Sequence, residues 1–346
     1  MSYTNGLDDP TLYFNTNLYV GNGTDAHAIT GVGFQPDFVW LKNRDDTNAH
    51  QAFDSIRGAT KALFVNETSA EGTYSTTLQS FDSDGFTVGT SSGANTNANN
   101  FASWNWLAGG TASSNTDGSI TSTVSANTTS GFSIVSYSGS TNSTFTVGHG
   151  LGVVPKIFIL KKRSSSGTNW VMYNANLGND KRIQLNNTDA EASTTGFGST
   201  DPTSSVFTVA NGSTTGANGE DYIAYCFAEK KGYSKFGSYT GNGSTDGTFV
   251  YTGFKPAFFI TKNATDAGDN WILWDNKRDT FNLTDNGLAP NSSVAEFTDC
   301  HIDFVSNGIK IRNSTGRHNG TGDTHIYMAF AESPFVTSTG IPTTAR

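Results

Sequence analysis

The stretch GHGLGVVPKIFILKKR, Gly148–Arg163, sets His149 among three glycines, ahead of an apolar run and three cations. Glycines beside a histidine and a lysine could cradle a phosphate and supply a general base. A phosphate loop, though, needs Gly-Lys-Ser/Thr opening a helix whose first N–H groups face the anion. A β-type apolar run follows instead, so the stretch reads as a turn entering a strand. His318 and His325 flank NGTGDT, a hairpin-tip composition, and are read as a surface pair facing each other across a ladder. Asp323 is the one neighbour that could extend them towards a metal set, and no metal is assigned. Carboxylates come close together at Asp45-Asp46, Asp82 with Asp84, and Glu220-Asp221. A glycosidase needs two of them about 5–9.5 Å apart in a cleft. These pairs all sit in turn-like sequence, and none recurs elsewhere in the chain. Cys226 and Cys300 have no partner at metal-ligand spacing, and no Gly-x-Ser-x-Gly elbow is present. Trp170, Trp271 and Trp274 could stack on sugar rings, but the recurrence of aromatics at that position favours a sandwich core.

What must position these residues is a unit that recurs three times. GVGFQPDFVWLKNR, GHGLGVVPKIFILKKR and YTGFKPAFFITKN each carry Gly, then Pro36, Pro155 or Pro256, then an apolar run with Lys42, Lys161 or Lys262 six residues past the proline. Tyr19, Tyr137 and Tyr239 precede the prolines by 17, 18 and 17 residues. Phe53, Tyr173 and Trp274 follow them by 17, 18 and 18, and Ala108, Ala228 and Ala331 close the units after 72, 73 and 75. Landmarks held this closely define a repeat of about a hundred residues. Its apolar stretches are short and bounded by Gly, Asn, Asp and Ser, without a sustained helical period. The runs FVWLK, IFILK and FFITK are continuously apolar, as in strands buried on both faces, and each proline sits where such a strand begins. The spacing predicts an all-β chain of three tandem antiparallel β-sandwiches, jelly-roll-like. An N-terminal arm covers 1–18, the sandwiches cover 19–108, 131–229 and 230–332, and a C-terminal tail covers 333–346. A polar Ser/Thr/Gly linker, 109–130, is expected to be exposed and to set the first unit apart from the other two. The tail is expected to lie on a neighbouring unit or subunit.

Composition narrows the function classes. Only 15% of residues are charged and 12% are aromatic, which describes a folding β-protein rather than a disordered one. A net charge of −9 lacks the cationic footprint that nucleic acid demands. No apolar run reaches the length of a membrane span, and the first residues show neither a basic nor an apolar leader region.

The phrases MSYTNGLDDP, GNGTDAHAITGVGFQPDFVWLKNR, FDSIRGATKAL, SFDSDGFTVG and FAESPFVTSTGIPTTAR, with the Ser/Thr linker between them, span nearly the whole chain. Together they resemble a family of bacteriophage virion proteins of marine phages, tail-fibre-like or structural. The resemblance implies a place on a virus particle and supplies no catalytic residues. The expectation is a non-enzymatic virion protein of a tail fibre or other surface appendage involved in host attachment. A capsid decoration or head-fibre protein is the alternative, and a glycan-cleaving enzyme a more distant one. The expected partners are other virion proteins, further copies in a homo-oligomer (a trimer), and a host surface glycan, with no cofactor, nucleic acid or membrane insertion. Trp170, Trp271, Trp274, His318 and His325 are the candidate glycan contacts. Leu12, Tyr13 and Phe14 are the candidate docking residues of the arm.

Overall fold

A computed structural model describes residue 4 and residues 6–343. The remaining residues of the expected arm and tail, 1–3, 5 and 344–346, lie outside the described residues. The chain is nearly all β, in antiparallel sheets. From Phe14 to Trp106 it forms a six-stranded sheet and a three-stranded one. From Ser113 to Phe227 it forms an eight-stranded sheet and a two-stranded one, and from Ser234 to Pro334 a four-stranded sheet and a three-stranded one.

The period-2 alternation of the apolar runs explains the assembly. In Phe38–Asn43, Val39 and Leu41 face the small sheet of their own segment, while Phe38 and Trp40 face the other way. Ile157–Lys162 sorts the same way: Phe158 and Leu160 point to their own small sheet, Ile157 and Ile159 away from it. In Phe254–Asn263, Phe259 turns to its own small sheet and Phe258 and Ile260 away. The outward faces of all three large sheets meet in one shared core. Phe14 stacks on Phe330 at 5.1 Å, Phe38 lies 4.4 Å from Tyr225, and Phe227 lies 5.9 Å from Phe330, so each segment touches both others. Each such fully buried side chain contributes roughly 1.5–3 kcal/mol. Continuous apolar runs are therefore needed, because each large sheet is covered twice.

The edges of this triangle close with one backbone contact used three times. Glu71 N–H donates to the Arg163 carbonyl (2.9 Å), Glu191 N–H to Ala264 (2.9 Å), and Glu296 N–H to Arg44 (2.8 Å). The first segment is thus not set apart. The linker is not a free tether either: Ser113–Asn115 and Ser122–Asn127 are strands that widen the second segment's large sheet, with Val124 buried. Apolar Val124 and Ala126 alternating with serines make that segment strand-competent.

The expected docking arm also differs. Pro10–Leu12 is a single 3-10 turn, and Phe14–Val20 is a strand paired with Asn100–Trp106. Phe14 is buried in the shared core, Tyr13 is half-buried against it, and only Leu12 is exposed. Phe14 cannot grip another protein while it fills this core. The tail folds back as a turn in which the Ser338 N–H donates to Asp8 (2.7 Å). Pro36 and Pro155 precede their strands, but Pro256 lies inside Phe254–Asn263, at a register shift that frees it from donating to the ladder.

Candidate functional site

The three lysines six residues past the prolines are strongly perturbed cations. Lys42, Lys161 and Lys262 all stand on the shared-core side of their strands and are fully buried. Burial pushes each ammonium down to about 8. Each Nζ is turned to backbone carbonyls: Lys42 to Asn43 (2.6 Å) and Ser293 (3.2 Å), Lys161 to Thr168 (2.6 Å), Lys262 to Asn263 (2.7 Å). Lys42 thereby ties the first segment to the third. An ammonium spent on carbonyls in this way is a structural clamp, not a nucleophile facing a cleft.

A second network was not anticipated from the sequence. The Arg57 Nε donates to Asp54 (2.5 Å), and the Tyr225 hydroxyl of the second segment donates to the same carboxylate (2.7 Å). In the third segment Arg278 Nε donates to Asp275 (2.6 Å), which also accepts from Trp104 Nε1 of the first (3.1 Å). Glu71 and Glu296 extend the two networks to Arg163 and Arg44. The signal lay in the chain as Asp-x-x-Arg at 54/57 and 275/278, at matching places in two repeats. The second repeat has Asn174 and Leu177 there.

The candidate glycan contacts require correction. Trp170, Trp271 and Trp274 are 1%, 1% and 0% exposed, and none can stack on an external sugar. Trp170 and Trp271 enter the shared core and cap carbonyls of the preceding segment, Phe64 (2.9 Å) and Gln184 (2.8 Å). Trp274 lies between its own two sheets and donates to Cys300 (2.8 Å). Aromatics recur at those places because packing requires bulk there. His318 and His325 are not a surface pair: both are buried, His318 edge-on to Trp274 and His325 stacked on Tyr239 at 5.0 Å. Among the described residues no cluster of three His, Cys, Asp or Glu side chains is placed to hold a metal. His149 is also buried, its ring nitrogens meeting the Thr203 carbonyl and the Leu151 N–H, and burial holds its pKa below the usual histidine range.

The carboxylate pairs serve as turn caps. Asp45 accepts from the Asn100 N–H (2.7 Å), Asp82 from Thr87 (2.7 Å), and Asp84 from the N–H groups of Gly31 and Gly33 (3.0 and 2.7 Å). Glu220 accepts from Ser164 and Ser165, which lowers its pKa, and Asp221 accepts from Ser138 (2.6 Å). The recurring GNGT and GNGST turns are likewise accounted for. Asn95 donates to Asn22, Thr24 and Gly89, and Asn319 makes the matching bonds to Asn242, Ser244 and Asn313.

A cavity of about 30 Å³ remains where the three sheets meet, lined by Trp40, Ile159, Tyr225, Ile260 and Met328 among others. Its lining offers no set of polar partners that would hold a water. Both cysteines are buried; burial raises the Cys226 thiol and pushes Cys300 up to about 12. An aromatic disulfide reagent should therefore label neither thiol in the native protein and both after denaturation. Rapid native labelling would contradict the burial.

A family model described as a domain of unknown function (DUF7483) matches residues 9–334, from the first turn to the last strand. No curated protein and no solved structure matches.

Proposed function

The chain belongs to the DUF7483 family, and we propose that this member is a non-enzymatic structural protein of a bacteriophage particle, part of a tail fibre or other surface appendage. The observation that carries the reading is where the perturbed groups go. The buried lysines, the Asp-Arg networks and the indole N–H groups of Trp104, Trp170, Trp271 and Trp274 join one segment to the next or cap backbone, and none of them faces a cleft. Such a chain spends its polar chemistry on rigidity. A virion part needs that, because it must persist outside a cell and here does so without a disulfide. We read the three segments as copies of one sandwich unit fused into a single pseudo-threefold body. Further copies or other virion proteins then assemble through its outer surface, and a host glycan, if bound, is met there as well.

One observation favours the alternative place on the head. Phe14–Val20 folds into the body as a strand and the Ser338 N–H donates to Asp8, so the described residues near 8 and 338 pack together on the body and form no shaft. A decoration protein docked directly on a shell needs no shaft. Immunogold labelling of intact particles with an antibody against this chain tests both. Label at the tail supports the appendage reading, and label spread over the head supports decoration. Particles that never take label, while free chain in the same lysate does, reject a virion role. Shortening of host polysaccharide by the purified chain would reject the non-enzymatic reading.

A further inference from the structure

Among the described residues, one sandwich edge stands open where its two counterparts are closed. We propose that it docks an extended, uncharged, Ser/Thr/Val-alternating segment of a second polypeptide, added as a β-strand. The molecule itself supplies the template. In the second segment the small-sheet edge Thr144–Gly148 is covered by the chain's own linker. Thr146 N–H donates to Ser119 Oγ (2.9 Å), its carbonyl accepts from Ile120 N–H (3.4 Å), and the Gly148 carbonyl accepts from Ser122 Oγ (2.9 Å). Val124 and Ala126 fill the space over Gly150, where a Cβ would meet them at 3.0 and 3.2 Å. In the first segment two side chains do the capping: Asn17 donates to the Thr30 carbonyl (2.9 Å) and Asn15 to that of Val32 (3.1 Å).

Among the described residues the third segment has neither device. Val147 pairs with Phe207 as Val250 pairs with Ile309, so Phe249 and Tyr251 stand where Thr146 and Gly148 do. Among the described residues no strand pairs with the outer edge of Phe249–Tyr251. Tyr19 opposite Phe101 matches Tyr239 opposite His325, which puts Gly237 and Lys235 at the places of Asn17 and Asn15. Glycine has no side chain with which to cap. The connection into this segment is a tight turn closed by Tyr233 and Ser234 N–H on the Lys230 carbonyl, too short to supply a strand. A groove of about 320 Å³ is left, walled by Lys235, Tyr251, Gly253 and Phe335. Tyr251 is 60% exposed and Phe249 44%.

Two features set the occupant. The groove is the third segment's counterpart of the linker interface in the second, where the occupant is Ser/Thr with small apolar residues and no charge. On the wall Lys235 is already paired with Glu229 (2.7 Å), so that lysine makes little demand for a charged ligand. The neighbouring large-sheet edge is partly taken, since Asn176 donates to the Phe236 carbonyl (3.4 Å), so the added strand pairs with Phe249–Tyr251.

The test titrates the intact chain with a peptide of residues 118–127, GSITSTVSAN, by calorimetry and by amide hydrogen exchange. The expected result is saturable binding to one site, slowed exchange at Phe249 and Tyr251, and affinity about tenfold weaker in a Tyr251→Ala, Phe335→Ala variant. Both side chains are substantially exposed, so the variant keeps its melting temperature. Concentration-dependent self-association that the peptide reverses would support the site and identify the second polypeptide as another copy of this chain. Absence of saturation up to about 1 mM, protection at 144–148 instead, or equal binding by the variant overturns the proposal.

Discussion

Replacing His318 by Ala and His325 by Phe raises the stability of the chain, and raises it more in acid than at neutral pH. The substitutions copy the first segment, where Tyr19 stacks on Phe101 at 5.0 Å and donates to the Ala94 carbonyl (2.6 Å). In the third segment Tyr239 stacks on His325 at the same distance and donates to the His318 carbonyl (2.8 Å). The histidines bring ring nitrogens that the protein does not partner: Nε2 of His318 and both nitrogens of His325. Removing buried polar atoms of that kind should gain about 1–3 kcal/mol near neutrality. Burial, then the neighbouring His325 and Arg317, push His318 down to about 3. Burial holds His325 to about 4, with Lys262 adding and Asp323 opposing. Between those values and the unfolded value of about 6.5 the unfolded chain binds more protons than the folded one, so stability falls as pH falls through this window. The gap between variant and parent should widen by on the order of 2 kcal/mol per histidine by about pH 4.5. Urea unfolding at the two pH values measures it. A gap that does not change with pH would mean the two rings are solvated in the native chain.

The same pair shows where sequence reading stops. Landmark spacing placed Phe53, Tyr173 and Trp274 at equivalent positions, and each packs between the two sheets of its own segment. Continuous apolar runs announced strands buried on both faces, and Phe38–Asn43 is one. What covers the second face was not legible, because a run of apolar residues does not say whether its cover is the same unit or another. Without that information, the polar composition of 109–130 reads as a tether that sets the first segment apart, and Phe14 falls to an arm. The histidines were misplaced for a related reason. NGTGDT has the composition of an exposed tip, but the short turn Gly316–Asn319 tucks His318 inward while Asn319 ties down the Asn242 turn. Turn chemistry reports backbone conformation and says little about which neighbouring side chain is buried.

The buried Asp-Arg networks lead to the other large effect. Arg278→Leu should cost about 3–5 kcal/mol, whereas Arg278→Leu with Asp275→Asn should cost much less. Arg278 donates to Asp275, to Glu296 (2.8 Å) and to the Leu273 carbonyl (3.0 Å), and lies 5.9 Å over the Trp104 ring. Asp275 and Arg278 are both fully buried in their side chains. Removing the guanidinium alone strands the Asp275 charge with only the Trp104 N–H and its own turn for company, while Glu296 keeps Arg44. The second segment shows the neutral solution already in place. Asn174 and Leu177 occupy the positions of Asp275 and Arg278, Asn174 Oδ1 still caps its turn through the Asn176 N–H (2.9 Å), and Leu177 packs against the shared core. Met328 stands opposite Ile260 as Trp104 stands opposite Trp40, so that junction has no indole to satisfy. An asparagine at 275 removes the unpaired charge and keeps one acceptor for the turn, as Asn174 does; its amide NH2 then faces the Trp104 indole N–H, so part of the cost remains in the double variant. Urea midpoints of the single and double variants at neutral pH decide it. If the double variant is as unstable as the single, the charge is not what the arginine serves, and the lost packing over Trp104 accounts for the cost.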